Sequence, residues 1–142
     1  MRQLSLLDDT AARLAGTMAA IRAAMRTVAG APENEGRKAL PDKLNALARQ
    51  AGIRLTQGNQ KTISKDTLDK WLSPSDTSHP PSLLAVLAFC RVTGNVEPLR
   101  VVLQALNLGL MTEEDRKLRD YGKAVRDMEA ARRRKKKLEE EL

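Results

Sequence analysis

Aromatic residues are almost missing from this chain: Trp71, Phe89 and Tyr121 are the only three in 142 positions. Single-strand nucleic-acid proteins stack bases on aromatic platforms, and thick β-sandwich cores favour aromatic and β-branched side chains, so the scarcity argues against both. Cysteine and histidine occur once each, as Cys90 and His79. A structural zinc site takes about four Cys or His ligands and a disulfide takes two cysteines, so neither can be assembled within one chain. No metal and no cofactor are expected. There is no G-x-x-x-x-G-K-[ST] or G-x-G-x-x-G phosphate cradle, and no nucleophile elbow accompanies the lone histidine. No apolar stretch nears the ~18 residues that span a bilayer, and no leader pattern follows Met1. The expectation is a cytoplasmic, non-enzymatic protein without a membrane partner. Cys90 lies in the apolar run Leu83 to Cys90 and reads as a small core hydrophobe; His79, in Ser-His-Pro-Pro, reads as a solvated turn residue.

What is present is aliphatic and helical. Hydrophobic residues make up 42% of the chain, enough for a core without disulfides, and with few aromatics that core is aliphatic, which predicts an all-α fold. Leu4, Leu7, Ala11, Leu14, Met18, Ile21, Met25 and Val28 step by alternate threes and fours, a heptad seam on an Ala-rich helix over residues 1–30. Such a stripe either packs on the chain's own globular part or pairs with a second copy, and a homodimer through residues 4–28 is expected. Residues 31–37, with Pro32, Asn34 and Gly36 among acids, read as a linker.

Residues 38–110 carry the signals of four to five short helices. Pro41 suits a first helical position, followed by Leu44, Leu47, Ala48 and Ala51 before Gly52. The stretch from Arg54 to Lys61 is polar and turn-rich. Ser64 can cap a helix over Lys65 to Leu72 with Leu68, Trp71 and Leu72 on one face, and Ser82 can cap another through Leu83, Val86, Leu87 and Cys90 to Gly94. Pro98 fits the first turn of the next, with Leu99, Val102, Leu103 and Leu106 as its buried face. Over 112–142, Thr112 and Asp115 form a near capping box ahead of a long charged helix. Its Arg132 to Lys137 hexad is either a solvated helix end paired with Glu139 to Glu141 or a basic arm.

The net charge of +7 is unevenly placed. Residues 1–35 and 75–111 are neutral, 112–142 contribute +2, and 36–74 contribute +5. A nucleic-acid surface concentrates charge in this way.

Within that island, LNALARQAGI followed by TISKDTLDKWLSP resembles the two helices of a helix-turn-helix, with Ala51 and Gly52 where the helices approach. Together with PSLLAVLAFCRVTGN and the Leu-rich helix after it, residues 38–110 are similar to lambda-repressor-like domains, most of all to phage CII-type regulators of prophages. The resemblance implies sequence-specific binding of double-stranded DNA and transcriptional regulation in a phage or prophage setting. The chain departs from the pattern in two places. Ile53 to Ile63 intervene where a turn of 3–4 residues is usual, and the second helix sets Asp66 and Asp69 beside Lys65 and Lys70.

On this reading Thr62, Ser64, Lys65 and Thr67 lie nearest base edges, at the N-terminal part of a helix entering the major groove. Lys70, Lys61, Arg54, Lys43, Arg37 and Lys38 contact phosphates, and the loop offers Gln57, Asn59 and Gln60 to the backbone as well. The alternative is a non-enzymatic adaptor whose terminal helices bind partners without specific DNA contact. Gln3-Leu4-Ser5-Leu6-Leu7 also resembles peptides that dock in the bacterial sliding clamp, with Leu7 where an aromatic is usual.

Overall fold

The computed structural model describes the backbone from Arg2 to Leu142 and the side chains from Ala11 to Leu142. The chain is all-helical, with no strand among the described residues: α1 (Arg2–Ala29), α2 (Glu35–Ala51), α3 (Lys65–Leu72), α4 (Leu83–Thr93), α5 (Glu97–Gln104) and α6 (Glu113–Glu141). It divides into two units, Met1–Gly109 and Leu110–Leu142. Among the described residues no helix is long and apolar enough to cross a membrane.

Local chemistry sets most of the boundaries. Ser64 and Ser82 each accept a hydrogen bond from the backbone N–H three residues on, at Thr67 and Ala85, so α3 and α4 begin where the sequence expects. Gly94 ends α4 with φ +69°, a conformation that favours glycine. After α5, Asn107 takes φ +57° while Asn107 N–H donates to Gln104 C=O and Leu108 N–H to Leu103 C=O, the paired bonds of a Schellman stop. Leu106 falls inside that stop, past the last residue of α5, and is exposed, so it does not join the buried face expected of it. Thr112 and Asp115 form a full capping box for α6.

Helix α2 begins earlier than the sequence suggests. Asn34 is its N-cap, accepting from Gly36 N–H at 2.9 Å, so Glu35 to Arg37 belong to the helix rather than to the linker. Pro41 consequently sits inside α2 and not at its first position. It lacks the N–H that would reach the Arg37 carbonyl, but Leu40 and Pro41 are both buried, and that apolar packing offsets the missing bond.

The core is one cluster drawn from α1 to α4 and the α2–α3 loop, with Met25, Leu44, Leu68, Leu72 and Phe89 almost wholly sealed from solvent. Helix α1 divides its heptad seam. Ile21 and Met25 are buried in this core and are unavailable to a second copy, whereas Leu14 and Met18 are exposed. Leu4 and Leu7 lie outside the residues whose side chains are described. Nearer its start, α1 meets α5 across small residues, Ala12, Gly16 and Ala20 lining a cleft of about 550 Å³ with Val101, Gln104 and Ala105. Helix α4 buries Ala85, Val86, Ala88, Phe89 and Cys90, while Leu83, Leu84 and Leu87 face solvent. Leu83 and Leu87 are therefore not core residues.

Two arginines of α1 tie down the end of α3. Arg26 Nη1 donates to Leu72 C=O at 2.8 Å, and the buried Arg22 donates from Nη1 to the carbonyls of Ser73 and Asp76. These carbonyls lie at and just beyond the negative end of the α3 dipole, where a cation is favoured. Arg22 Nε and Nη2 have no hydrogen-bond partner among the described residues.

Candidate nucleic-acid interface

The candidate surface is built on α2, the segment after it, and α3. Gly52 closes α2 with φ +67°, and Ile53 N–H donates to Ala48 C=O at 3.0 Å. The following loop is polar in composition yet firmly held. Leu55 and Ile63 are buried, Ile53 is half-buried, and Ser82 Oγ donates to Leu55 C=O at 3.3 Å. At the far end the Asn45 side-chain amide engages both backbone groups of Ile63, accepting from its N–H at 2.8 Å and donating to its C=O at 2.9 Å. Apolar anchors at each end therefore leave Gln57, Gly58, Asn59, Gln60, Lys61 and Thr62 as an exposed tip.

Helix α3 emerges two residues after Ile63. Lys65, Asp66 and Lys70 are exposed, as are Arg54 on the loop and Lys43 on α2. Ser64 is exposed but spends its oxygen on the cap, and its Oγ lies 3.3 Å from Oγ1 of the half-buried Thr67. Lys38 is half exposed and 3.6 Å from Glu35. Arg37 does not meet its expectation as a phosphate contact. Its side chain is only 12% exposed, with Nη2 on Asp69 Oδ1 at 2.9 Å and Nη1 donating to Gly30 C=O at 3.0 Å. Once α2 starts at Glu35, Arg37 falls on the helical face that meets α3.

That ion pair alters the charge of the α3 surface. Asp69, expected to oppose a phosphate backbone, is held by Arg37, whereas Arg54, Lys61, Lys65 and Lys70 have no ion-pair partner among the described residues. Asp66 remains the exposed acid on the helix. Gln57, Gln60, Thr67 and Lys70 come together in one cleft of about 540 Å³, closed on the other side by His79, Pro80 and Pro81. Thr62, Ser64, Lys65, Arg54, Asn59, Lys61, Lys43 and Lys38 do not line it.

No family model matches the sequence, and neither a curated protein nor a solved structure matches the chain. The site therefore rests on its own chemistry.

The far wall of the cleft is a compact turn in which His79 is the solvated residue that the sequence suggests, while Asp76, which organises it, carries no local signal. Asp76 Oδ1 accepts from the backbone N–H groups of Ser78 and His79, both at 2.9 Å, and His79 Nδ1 lies 3.1 Å from Asp76 Oδ2. Desolvation pushes the Asp76 carboxyl up, but these two backbone bonds and the imidazole outweigh it and hold the group below its ordinary value. A carboxylate held low stabilises the fold above its unfolded pKa, and the contribution fades as pH falls through the folded one. We expect Asp76→Asn, which keeps the acceptor oxygen but not the charge, to be less stable than the wild type at pH 5. The gap should close on acidification below the ordinary carboxylate value, as read by thermal melting across that range. A pH-independent difference would show that the charge is not what matters. In the core, burial pushes the Cys90 thiol up despite opposing backbone hydrogen bonds, as for an unreactive packing residue.

Proposed function

We propose that the chain binds double-stranded DNA sequence-specifically, as a transcriptional regulator in a phage or prophage setting, with α3 as the helix that enters the major groove. The observation that supports this most is the Arg37–Asp69 pair, which leaves Arg54, Lys61, Lys65 and Lys70 as the dominant exposed charges around α3. Phosphate neutralisation by such side chains supplies most of the affinity for a duplex and makes it salt-dependent. The N-terminal turn of α3 presents Lys65 and, beside it, Thr62, while Arg54, Lys61, Lys70 and Lys43 position the domain on the backbone. The 53–63 loop is held at both ends by the buried Leu55 and Ile63, which supports a fixed position for α3 despite the length of the loop.

Two substitutions separate base reading from phosphate contact. Lys65→Ala should relax preference at one base pair, with a discrimination loss of about 1–3 kcal/mol. Arg54→Ala should weaken all duplexes alike and flatten the salt slope by about one unit. Fluorescence anisotropy on genomic and random duplexes over a salt series measures both. Equal affinity of the unmutated protein for random and selected duplexes would remove sequence specificity, and no binding at micromolar protein would favour the adaptor role.

A further inference from the structure

Helix α6 has no buried residue, and Leu118, Tyr121 and Met128 are more than half exposed. A lone helix is marginal in water, because most helical stability in proteins comes from packing an apolar stripe. Here the stripe exists: Leu118, Tyr121, Val125 and Met128 step by three, four and three, the spacing of a coiled-coil seam. The flanks of that seam carry opposite charge, Glu113, Glu114 and Asp115 before it and Arg132, Arg133 and Arg134 after it.

We propose that α6 is a homodimerisation helix that pairs antiparallel with α6 of a second copy, about a two-fold axis at Lys123. That axis sets Leu118 against the partner's Met128 and Tyr121 against the partner's Val125, and symmetry repeats both layers. The same register brings Glu114, in line with the seam, opposite the partner's Arg132. A parallel pair in register would instead stack Arg132 on the partner's Arg132 and Lys135 on the partner's Lys135, like charges inside the seam.

Gly122 supplies an independent observation. Glycine in mid-helix is destabilising relative to alanine, and a Cβ at Gly122 would meet nothing within 4 Å. Among the described residues nothing packs against that position. Gly122 and Ala124 flank the seam on its two sides beside the proposed axis, where small residues let two helices approach. The apolar layers supply the affinity, and the Glu114–Arg132 pairs select orientation and register.

The inference does not rest on DNA binding and is tested without DNA. Sedimentation equilibrium of the full chain at roughly 100 µM, well above an interaction of about 1 µM, should return twice the chain mass. Glu114→Arg and Arg132→Glu should each weaken self-association by about tenfold or more, because each sets like charges against the partner. A chain carrying both exchanges should recover the wild-type dissociation constant to within about threefold, which mere damage to the helix would not allow. Trp71 emission checks that the first unit stays folded in every variant. A monomeric wild type, a dimer indifferent to either reversal, or no recovery in the combined variant would each overturn the proposal.

Discussion

Phe89→Ala should lower the free energy of unfolding by about 3–5 kcal/mol, the usual range for deleting a fully buried aromatic ring. Phe89 is wholly inaccessible at the middle of α4, in a cluster drawn from α1, α2, α3 and the loop before α3. Elements arriving from that many directions cannot all move inward to refill the space, so a residual cavity adds to the lost transfer free energy. Against the about 5–15 kcal/mol typical of a domain, this removes a large part of the stability and should lower Tm by more than about 10 °C. Trp71, the chain's one tryptophan, is itself buried, so its emission reports the transition in urea or heat. Leu83→Ala on the same helix is the internal control. That residue is 66% exposed, and its loss should change stability by no more than about 0.5 kcal/mol. Similar losses for the two variants would mean that α4 turns its other face to the core.

Asn45→Ala should cost roughly 2–4 kcal/mol and act where α3 is positioned. The amide satisfies the N–H and the C=O of the buried Ile63 together, and its removal leaves both backbone groups unpaired, each worth about 1–3 kcal/mol. Asn45→Asp should not rescue the loss, because a carboxylate can accept from the N–H but opposes the carbonyl beside it. Hydrogen exchange should localise the effect: amides of the 53–63 loop should exchange faster, by more than the global destabilisation accounts for. Unchanged exchange with stability within about 0.5 kcal/mol of wild type would show that the apolar anchors Leu55 and Ile63 hold the loop alone.

The elements of this fold were legible wherever a boundary depends on neighbouring residues. Ser64, Ser82 and the Thr112–Asp115 box act through hydrogen bonds three residues long, and each opens its helix as expected. The start of α2 was not legible, because Pro41 is the stronger local signal and only its burial allows the helix to run through it. Helix faces were read less well than helix ends. Helix α4 is apolar almost all round, so periodicity cannot say which stripe turns inward, and Leu83 and Leu87 face solvent while Ala85 and Ala88 are buried. A heptad seam likewise does not name its partner: Ile21 and Met25 of the α1 seam lie in the chain's own core, whereas Leu14 and Met18 are exposed.

For the candidate site the division is similar. The +5 island and the exposed Lys65, Lys70, Arg54 and Lys61 follow from composition, since long charged side chains are hard to bury without a partner. The sequence places Arg37 on phosphate and does not single out Arg22, Arg26 and Asn45, because their roles depend on groups 18 to 54 residues away: the Asp69 carboxylate, the carbonyls at and after the end of α3, and the backbone of Ile63. No window along the chain contains such pairs.

The sequence by itself determined an all-helical chain, its caps and stops, and where its charge lies, because each depends on side-chain type and on bonds that span three or four residues. Only the tertiary structure decided which arginines are structural and which are free, which leucines are inside, and that a polar loop is anchored. Those outcomes depend on desolvation and on partners distant in sequence, which are specified only once the helices have packed.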